Sequence, residues 1–213
     1  PDLIIANMNP YAGFLERLCN DVLPETKIIF ALYDVSFLEV LDRFPGRSAA
    51  VYVESGRKDT PDLIQLLLPE TKNIVFIGGA SEGGQNTIRR IMALFDAHAD
   101  RFNITYLIGT PVDEILDTVS TLPEDSIIYF TTYQEDMDGK PYSSHNVLSL
   151  ISKRADVPIF SFNDAYLGYG LLGGELTSSE EMGNTIAEMA LRVLDGENPG
   201  DIEPVKMTGR YTF

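Results

Sequence analysis

The sequence predicts an α/β protein built on parallel strands with helices on both faces, and three observations carry that prediction. Short β-rich runs alternate with helix-length amphipathic stretches from end to end, the pattern of strands joined by helical crossovers. Several of the strands are apolar on both faces, as a doubly covered parallel sheet requires. A short internal echo recurs at the junctions. Leu23-Pro24-Glu25-Thr26-Lys27 leads into Ile-Ile-Phe, Leu68 to Lys72 repeats those five residues before Asn-Ile-Val-Phe, and Leu122-Pro123-Glu124 precedes Ile-Ile-Tyr-Phe. The spacings of 45 and 54 residues are too uneven for a solenoid and mark recurring αβ units instead.

The strands read as Leu3 to Ala6, Lys27 to Leu32, Ala49 to Val53, Ile74 to Ile77, Ile104 to Ile108, Ile127 to Thr131 and Ile159 to Phe162. Asn9-Pro10 opens the first helix with an N-cap and a first-turn proline, after which Tyr11, Phe14, Leu15, Leu18 and Val22 share a face. Thr60-Pro61 and Thr110-Pro111 repeat that opening. The last helix begins with a capping box, Ser178 with Glu181 three residues on. It continues with Met182, Ile186, Met189, Val193 and Leu194 on one stripe and stops at Gly196.

Composition excludes more than it names. With 213 residues, 44% of them hydrophobic, the chain can bury one sizeable core or two small ones. A formal charge of -16 repels phosphate backbones and anionic lipid, so nucleic acid and membrane surfaces are poor partners. Cys19 is the only cysteine, which rules out an intrachain disulfide, and its setting among Leu15, Leu18 and Val22 predicts a buried thiol. His98 and His145 stand far apart without a second histidine at helical spacing, so no metal is expected. No apolar run approaches the roughly 20 residues of a membrane span. The chain opens directly into a strand without an initiator Met and reads as a segment of a longer protein.

In open parallel sheets ligands bind beyond the carboxyl ends of the strands. Here those positions are Asn7-Met8-Asn9 with Tyr11, Tyr33-Asp34, Gly78-Gly79-Ala80-Ser81-Glu82, Thr132-Tyr133-Gln134, and Asn163-Asp164 with Tyr166. Amides, hydroxyls and carboxylates supply directional hydrogen bonds and tyrosines supply flat apolar walls, the mix that encloses a small organic molecule. Helix capping and chain turning by the same residue types are the competing explanation, strongest at Asn9.

Gly79-Ala80-Ser81-Glu82-Gly83 spells G-x-S-x-G between a strand and a helix, the setting of a hydrolase nucleophile elbow. Such an elbow needs a histidine base arriving late in the chain, and neither His98 nor His145 is well placed. The other reading has small residues turning the chain and the Ser81 hydroxyl beside free helix amides, a place for an anionic ligand group. The loop lacks the lysine of a phosphate loop and the G-x-G-x-x-G order of a dinucleotide site, so no cofactor is expected.

Three stretches, Pro1 to Ala6, Leu63 to Gly79 (LIQLLLPETKNIVFIGG) and Val157 to Val205, resemble the type I periplasmic-binding-protein fold. In particular they resemble an uncharacterised substrate-binding family whose domains occur in transporters and bacterial sensors. The segments Leu122 to Ser126, Tyr133 to Tyr142 and Asp164 to Gly170 look closer to versions fused to histidine kinases. The resemblance implies two lobes that close on a ligand by hinge motion. One lobe would hold residues 1–54 and 171–198 and be truncated, since the family carries further βα units ahead of the first strand here. The other would hold residues 55–164 and about 201–213, with hinges near 54, 166–170 and 200. It further implies an extracytoplasmic, non-enzymatic, small-molecule-binding sensor domain of a membrane-anchored parent that dimerises. The receptor of an ABC importer is the alternative, and a serine hydrolase using Ser81 the second. The expected ligand contacts are Asn7, Asn9, Tyr11, Tyr33 and Asp34 from the first lobe. From the second they are Ser81, Glu82, Tyr133, Gln134, Asn163, Asp164 and Tyr166.

Overall fold

The computed structural model describes residues 1–7, 12–33, 35–53 and 60–213, with backbone alone at 12–14, 16, 20, 36 and 82–87. The chain divides into two compact units. Unit 1 comprises Pro1–Ser55 and Thr177–Gly209, and unit 2 comprises Gly56–Leu176 and Arg210–Phe213.

Unit 1 carries a parallel sheet in the order β1-β2-β3-β9, formed by β1 (Leu3–Asn7), β2 (Lys27–Leu32), β3 (Ser48–Val53) and β9 (Val205–Met207). Because successive side chains in a strand point to opposite faces, β2 and β3 feed two cores. Ile29, Ala31, Ala49 and Val51 pack under helix α6 (Ser179–Leu194) through Met182, Met189 and Val193. Ile28, Phe30, Leu32 and Ala50 face Leu15 and Cys19 of helix α1 (Ala12–Asp21), Val40 of a 3-10 helix over Val35–Arg43, and Phe44 just after it. Both faces are thereby covered, which is why these strands read as unbroken apolar runs. Cys19 is fully buried.

Unit 2 repeats the scheme in the order β5-β4-β6-β7, with β4 (Asn73–Gly78), β5 (Asn103–Ile108), β6 (Ser126–Phe130) and β7 (Ile159–Phe160) all parallel. Val75, Ile77, Ile128 and Phe130 pack with Ile115 of α4 (Val112–Val119) and Val147, Leu148 and Ile151 of α5 (Ser144–Ser152). On the other face Ile74, Phe76, Ile127 and Tyr129 meet Ile64 of α2 (Thr60–Leu67) and Ile88, Ile91 and Phe95 of α3 (Glu82–Asp96). Phe95 and Tyr129 rings lie 4.9 Å apart within this cluster. Beyond β7, a bridge from Phe160 to Gly173 leads to an antiparallel pair, β8 (Gly174–Leu176) with β10 (Arg210–Thr212).

Several expectations are corrected. The three-residue strands β8, β9 and β10 are too short to show a period in sequence. The chain passes between units after Ser55, Leu176 and Gly209, rather than near 166–170 and 200. Residues 171–176 stay with unit 2 through the β8–β10 pair, and 201–209 join unit 1 because β9 aligns on β3, Val51 opposite Val205. Val22 and Leu194, placed on buried helical faces by their spacing, are 65% and 57% exposed. Val22 lies one residue past the end of α1, where the helical period no longer fixes its direction. Thr60 lies inside α2, and Pro111 rather than Thr110 holds the cap position of α4. The Ser178 cap forms as read, its side chain accepting the Glu181 N–H at 3.2 Å. Among the described residues no helix is long and apolar enough to cross a membrane, and no three His, Cys, Asp or Glu side chains are placed to hold a metal ion.

Candidate functional site

In unit 1 the carboxyl ends of the strands present Asn7 and Tyr33. Asn7 is exposed at the end of β1, opposite Ala31 in register. Tyr33 follows β2 and is half-buried against the cluster of Ile29 and Val53. Asn9, Tyr11 and Asp34 lie outside the described residues.

In unit 2 the carboxyl ends of β4, β5 and β6 are stitched into one edge by backbone hydrogen bonds. The Gly79 N–H donates to Thr132 O at 2.9 Å, Ala80 N–H to Glu135 O at 2.7 Å, Gly109 N–H to Gly78 O at 2.8 Å and Met137 N–H to Gly109 O at 2.8 Å. Glycine is required for this closeness. A Cβ at Gly79 would meet Gln134 N at 3.0 Å, Glu135 O at 3.0 Å and Tyr133 Cα at 3.1 Å, all of them backbone. The Gly-Gly run in the sequence thus serves the approach of one chain to another.

Residues 134–142 fold back as a small turn over that edge. Glu135 bridges Pro141, and Tyr142 N–H donates to Gln134 O at 2.8 Å. Asp136 organises the turn. Its carboxylate accepts Lys140 N–H at 2.9 Å, Asp138 N–H at 3.0 Å and Tyr142 OH at 3.1 Å. The Lys140 backbone bond foremost, with the Tyr142 and Asp138 donors, holds this carboxyl below its ordinary range. Hydrogen bonding to Tyr142 raises the Lys140 ammonium in turn. Gly139 closes the turn at φ 79°. Sequence reading passed over Asp136 and Met137, although Asp136-Met137-Asp138-Gly139 carries the Asp and Gly of a tight turn. Met137 leaves its side chain 69% exposed at this edge.

The expected contacts separate into two groups. Ser81 caps α3 and is half-exposed, and its side chain makes no capping bond to the helix. Gln134 is exposed, while Asn163 and Asp164 are half-buried after β7. Asn163 uses its Oδ1 to accept Ala165 N–H at 2.9 Å, so it performs capping work as well. Glu82 begins α3, and its side chain lies outside the described set.

Tyr133 and Tyr166 are corrected to packing roles. Tyr133 is wholly buried, with its hydroxyl donated to the Thr110 carbonyl and its ring edge-on to Tyr142. Burial pushes its phenol well above the usual range. Tyr166 is 4% exposed and packs edge-on against Phe130 and beside His145.

The serine-elbow reading lacks its geometry. Ser81 has relaxed backbone angles, φ −56° and ψ 135°, rather than the strained turn that raises a nucleophile. His145 donates Nε2–H to Ala165 O at 3.0 Å and lies tilted against the Tyr169 ring, and His98 donates Nδ1–H to Leu94 O at 3.0 Å. The strand ends carry hydrogen-bond donors and acceptors.

Comparison with known proteins agrees with this picture. The family model described as ABC transporter substrate binding protein matches residues 54–213. No curated protein sequence matches the chain. Among solved structures, the chain is similar to the ABC domain in complex with L-Trp from Streptococcus pneumonia, at 17% identity and TM-score 0.65, covering 98% of this chain and 69% of that one. A conserved domain protein from Vibrio cholerae is similar at 17% identity and TM-score 0.68, with the same coverage. A LacI family transcriptional regulator from Arthrobacter in complex with lactose is similar at 14% identity and TM-score 0.65, over 100% of this chain and 77% of that one. At these identities the likeness establishes the type I periplasmic-binding-protein-like fold.

Proposed function

The chain belongs to the ABC transporter substrate-binding protein family, and on that premise we propose that it is an extracytoplasmic receptor which captures a small organic molecule for import. The family match carries the reading, and the polar strand ends of each unit support it. The ligand contacts of this proposal are Asn7, Asn9, Tyr11, Tyr33 and Asp34 of unit 1 with Ser81, Glu82, Gln134, Asn163 and Asp164 of unit 2. Tyr133 and Tyr166 act from behind, by holding the backbone that carries Gln134 and Asn163. Binding shifts the protein toward its liganded form only by the difference in affinity between the two states. The family description favours import over the sensor arrangement, which a signalling module encoded after residue 213 would restore.

The similar folds solved with L-Trp and with lactose make aromatic amino acids and sugars the first candidates. The test is a thermal-shift screen against amino acids, sugars, nucleobases, small carboxylates and peptides. A ligand at a hundredfold excess over its Kd stabilises by about 2.7 kcal/mol, a rise of roughly 5–10 °C for a protein of this size. A reproducible rise that Asn163→Ala or Tyr33→Ala reduces supports the proposal. A flat response across the panel counts against it.

A further inference from the structure

The repeated Leu-Pro-Glu turns lie at the amino ends of the strands, away from the proposed ligand contacts, and the two units treat them differently. In unit 1 the first copy is closed by Arg47. Its guanidinium Nη1 donates to the carbonyls of Pro24 at 2.7 Å, Cys19 at 3.2 Å and Leu23 at 3.4 Å. The next residue, Ser48, starts β3 opposite Ile28 and gives its hydroxyl to Phe44 O at 2.9 Å.

Strand register identifies the corresponding residues in unit 2. Asn73 follows the second copy as Ile28 follows the first, and it pairs with Ser126 as Ile28 pairs with Ser48. Asn73 N–H donates to Asp125 O at 3.1 Å, as Ile28 N–H donates to Arg47 O at 2.9 Å. Asp125 therefore stands where Arg47 stands, with the charge inverted, and Ser126 stands where Ser48 stands. The Asp125 carboxylate turns to Lys72 at 3.3 Å and to Asn73 Nδ2 at 2.8 Å. Pro69 O, the counterpart of Pro24 O, accepts from Gln65 Nε2 at 2.8 Å. Ser126 is 1% exposed, yet its Oγ finds no partner among the described residues.

At this place unit 2 has a cavity of about 190 Å³. Its lining includes Leu67, Pro69 and Pro158, the exposed Glu70 and Glu124, and the buried Ser126. A buried hydroxyl without a partner costs on the order of 1–3 kcal/mol, so its placement in a cavity with acidic lining residues points to a ligand. We propose that this cavity binds a guanidinium or ammonium group on a short apolar stem, supplied by a small molecule. The stem lies between Leu67 and the two prolines. The cation is held by Glu70 and Glu124 and donates to Ser126 Oγ, at the junction whose register counterpart in unit 1 is closed by Arg47.

The test is an amide NMR titration of the whole chain with n-propylguanidinium, using neutral N-propylurea as the matched control. The expected result is saturable shifts confined to residues 67–71, 124–126 and 158, with binding at least tenfold weaker for the urea and for a Glu70→Gln, Glu124→Gln variant. Asp125→Arg, which restores the arrangement of unit 1, should abolish the shifts while the rest of the spectrum stays folded. Shifts that do not saturate, that fall elsewhere, that the urea reproduces, or that persist in Asp125→Arg overturn the proposal.

Discussion

Gly79→Ala is a small change whose cost can be worked from the edge it would disturb. The added Cβ would stand 3.0 Å from Gln134 N, 3.0 Å from Glu135 O and 3.1 Å from Tyr133 Cα, well inside the roughly 3.5–4.0 Å of a comfortable carbon contact. None of these neighbours is a side-chain tip that can rotate away, so the 132–135 backbone has to retreat. That retreat lengthens the bonds from Gly79 N–H to Thr132 O and from Ala80 N–H to Glu135 O. Overpacking costs about 1–3 kcal/mol and a weakened hydrogen bond about 0.5–1.5 kcal/mol. Together they give roughly 1.5–4.5 kcal/mol, a fall in Tm of about 3–18 °C at this chain length. Differential scanning calorimetry measures it directly, and amide exchange at 132–137 should rise in the same variant. A Tm within about 1 °C of the parent would refute the claim that the strand ends and the 131–137 segment form one packed edge.

Other consequences are simpler to check. Gly183→Ala lies inside α6, where an added Cβ meets nothing within 4 Å; it should stabilise by about 0.5–1 kcal/mol, read as a higher melting temperature. Ser178→Ala removes the acceptor for Glu181 N–H and should cost about 1 kcal/mol, whereas Ser178→Asp should restore most of it. The Asp136 carboxyl is held below its ordinary range in the fold, so its contribution is complete above the unfolded carboxyl's pKa and is lost as pH falls through the folded value. Amide protection factors at residues 134–142, taken relative to the intrinsic exchange rate at each pH, should therefore fall in acid, and Asp136→Asn should show that lower protection already at neutral pH.

Much of this architecture is legible in the sequence because hydrophobic burial writes long, unambiguous runs. β2 occupies Lys27–Leu32 as read, and β4, β5 and β6 differ by a residue at their ends; β2, β4 and β6 are buried on both faces, and the edge strand β5 keeps a β-branched and aromatic run. The Ser178 box is legible for a different reason, because capping chemistry is local. The three-residue strands and the 3-10 helix over Val35–Arg43 leave no such trace, as tertiary contacts rather than a local pattern define them. Reading by strand ends names the residues at the carboxyl edge but not the direction of every side chain. Tyr133 and Gln134 are adjacent in sequence, yet one is buried and the other exposed, a distinction set by the turn that Asp136 organises. The internal echo recorded the αβ junctions, but only the paired register showed that Arg47 and Asp125 occupy corresponding positions.

The measurement that bears most directly on the receptor assignment is isothermal titration of the chain with the strongest hit of the ligand screen, repeated on Gln134→Ala, Asn163→Ala and Tyr33→Ala. The account predicts one saturable site per chain, weakened at least tenfold by changes in each unit. No saturable heat with any panel member, or binding that all three substitutions leave unchanged, would contradict it.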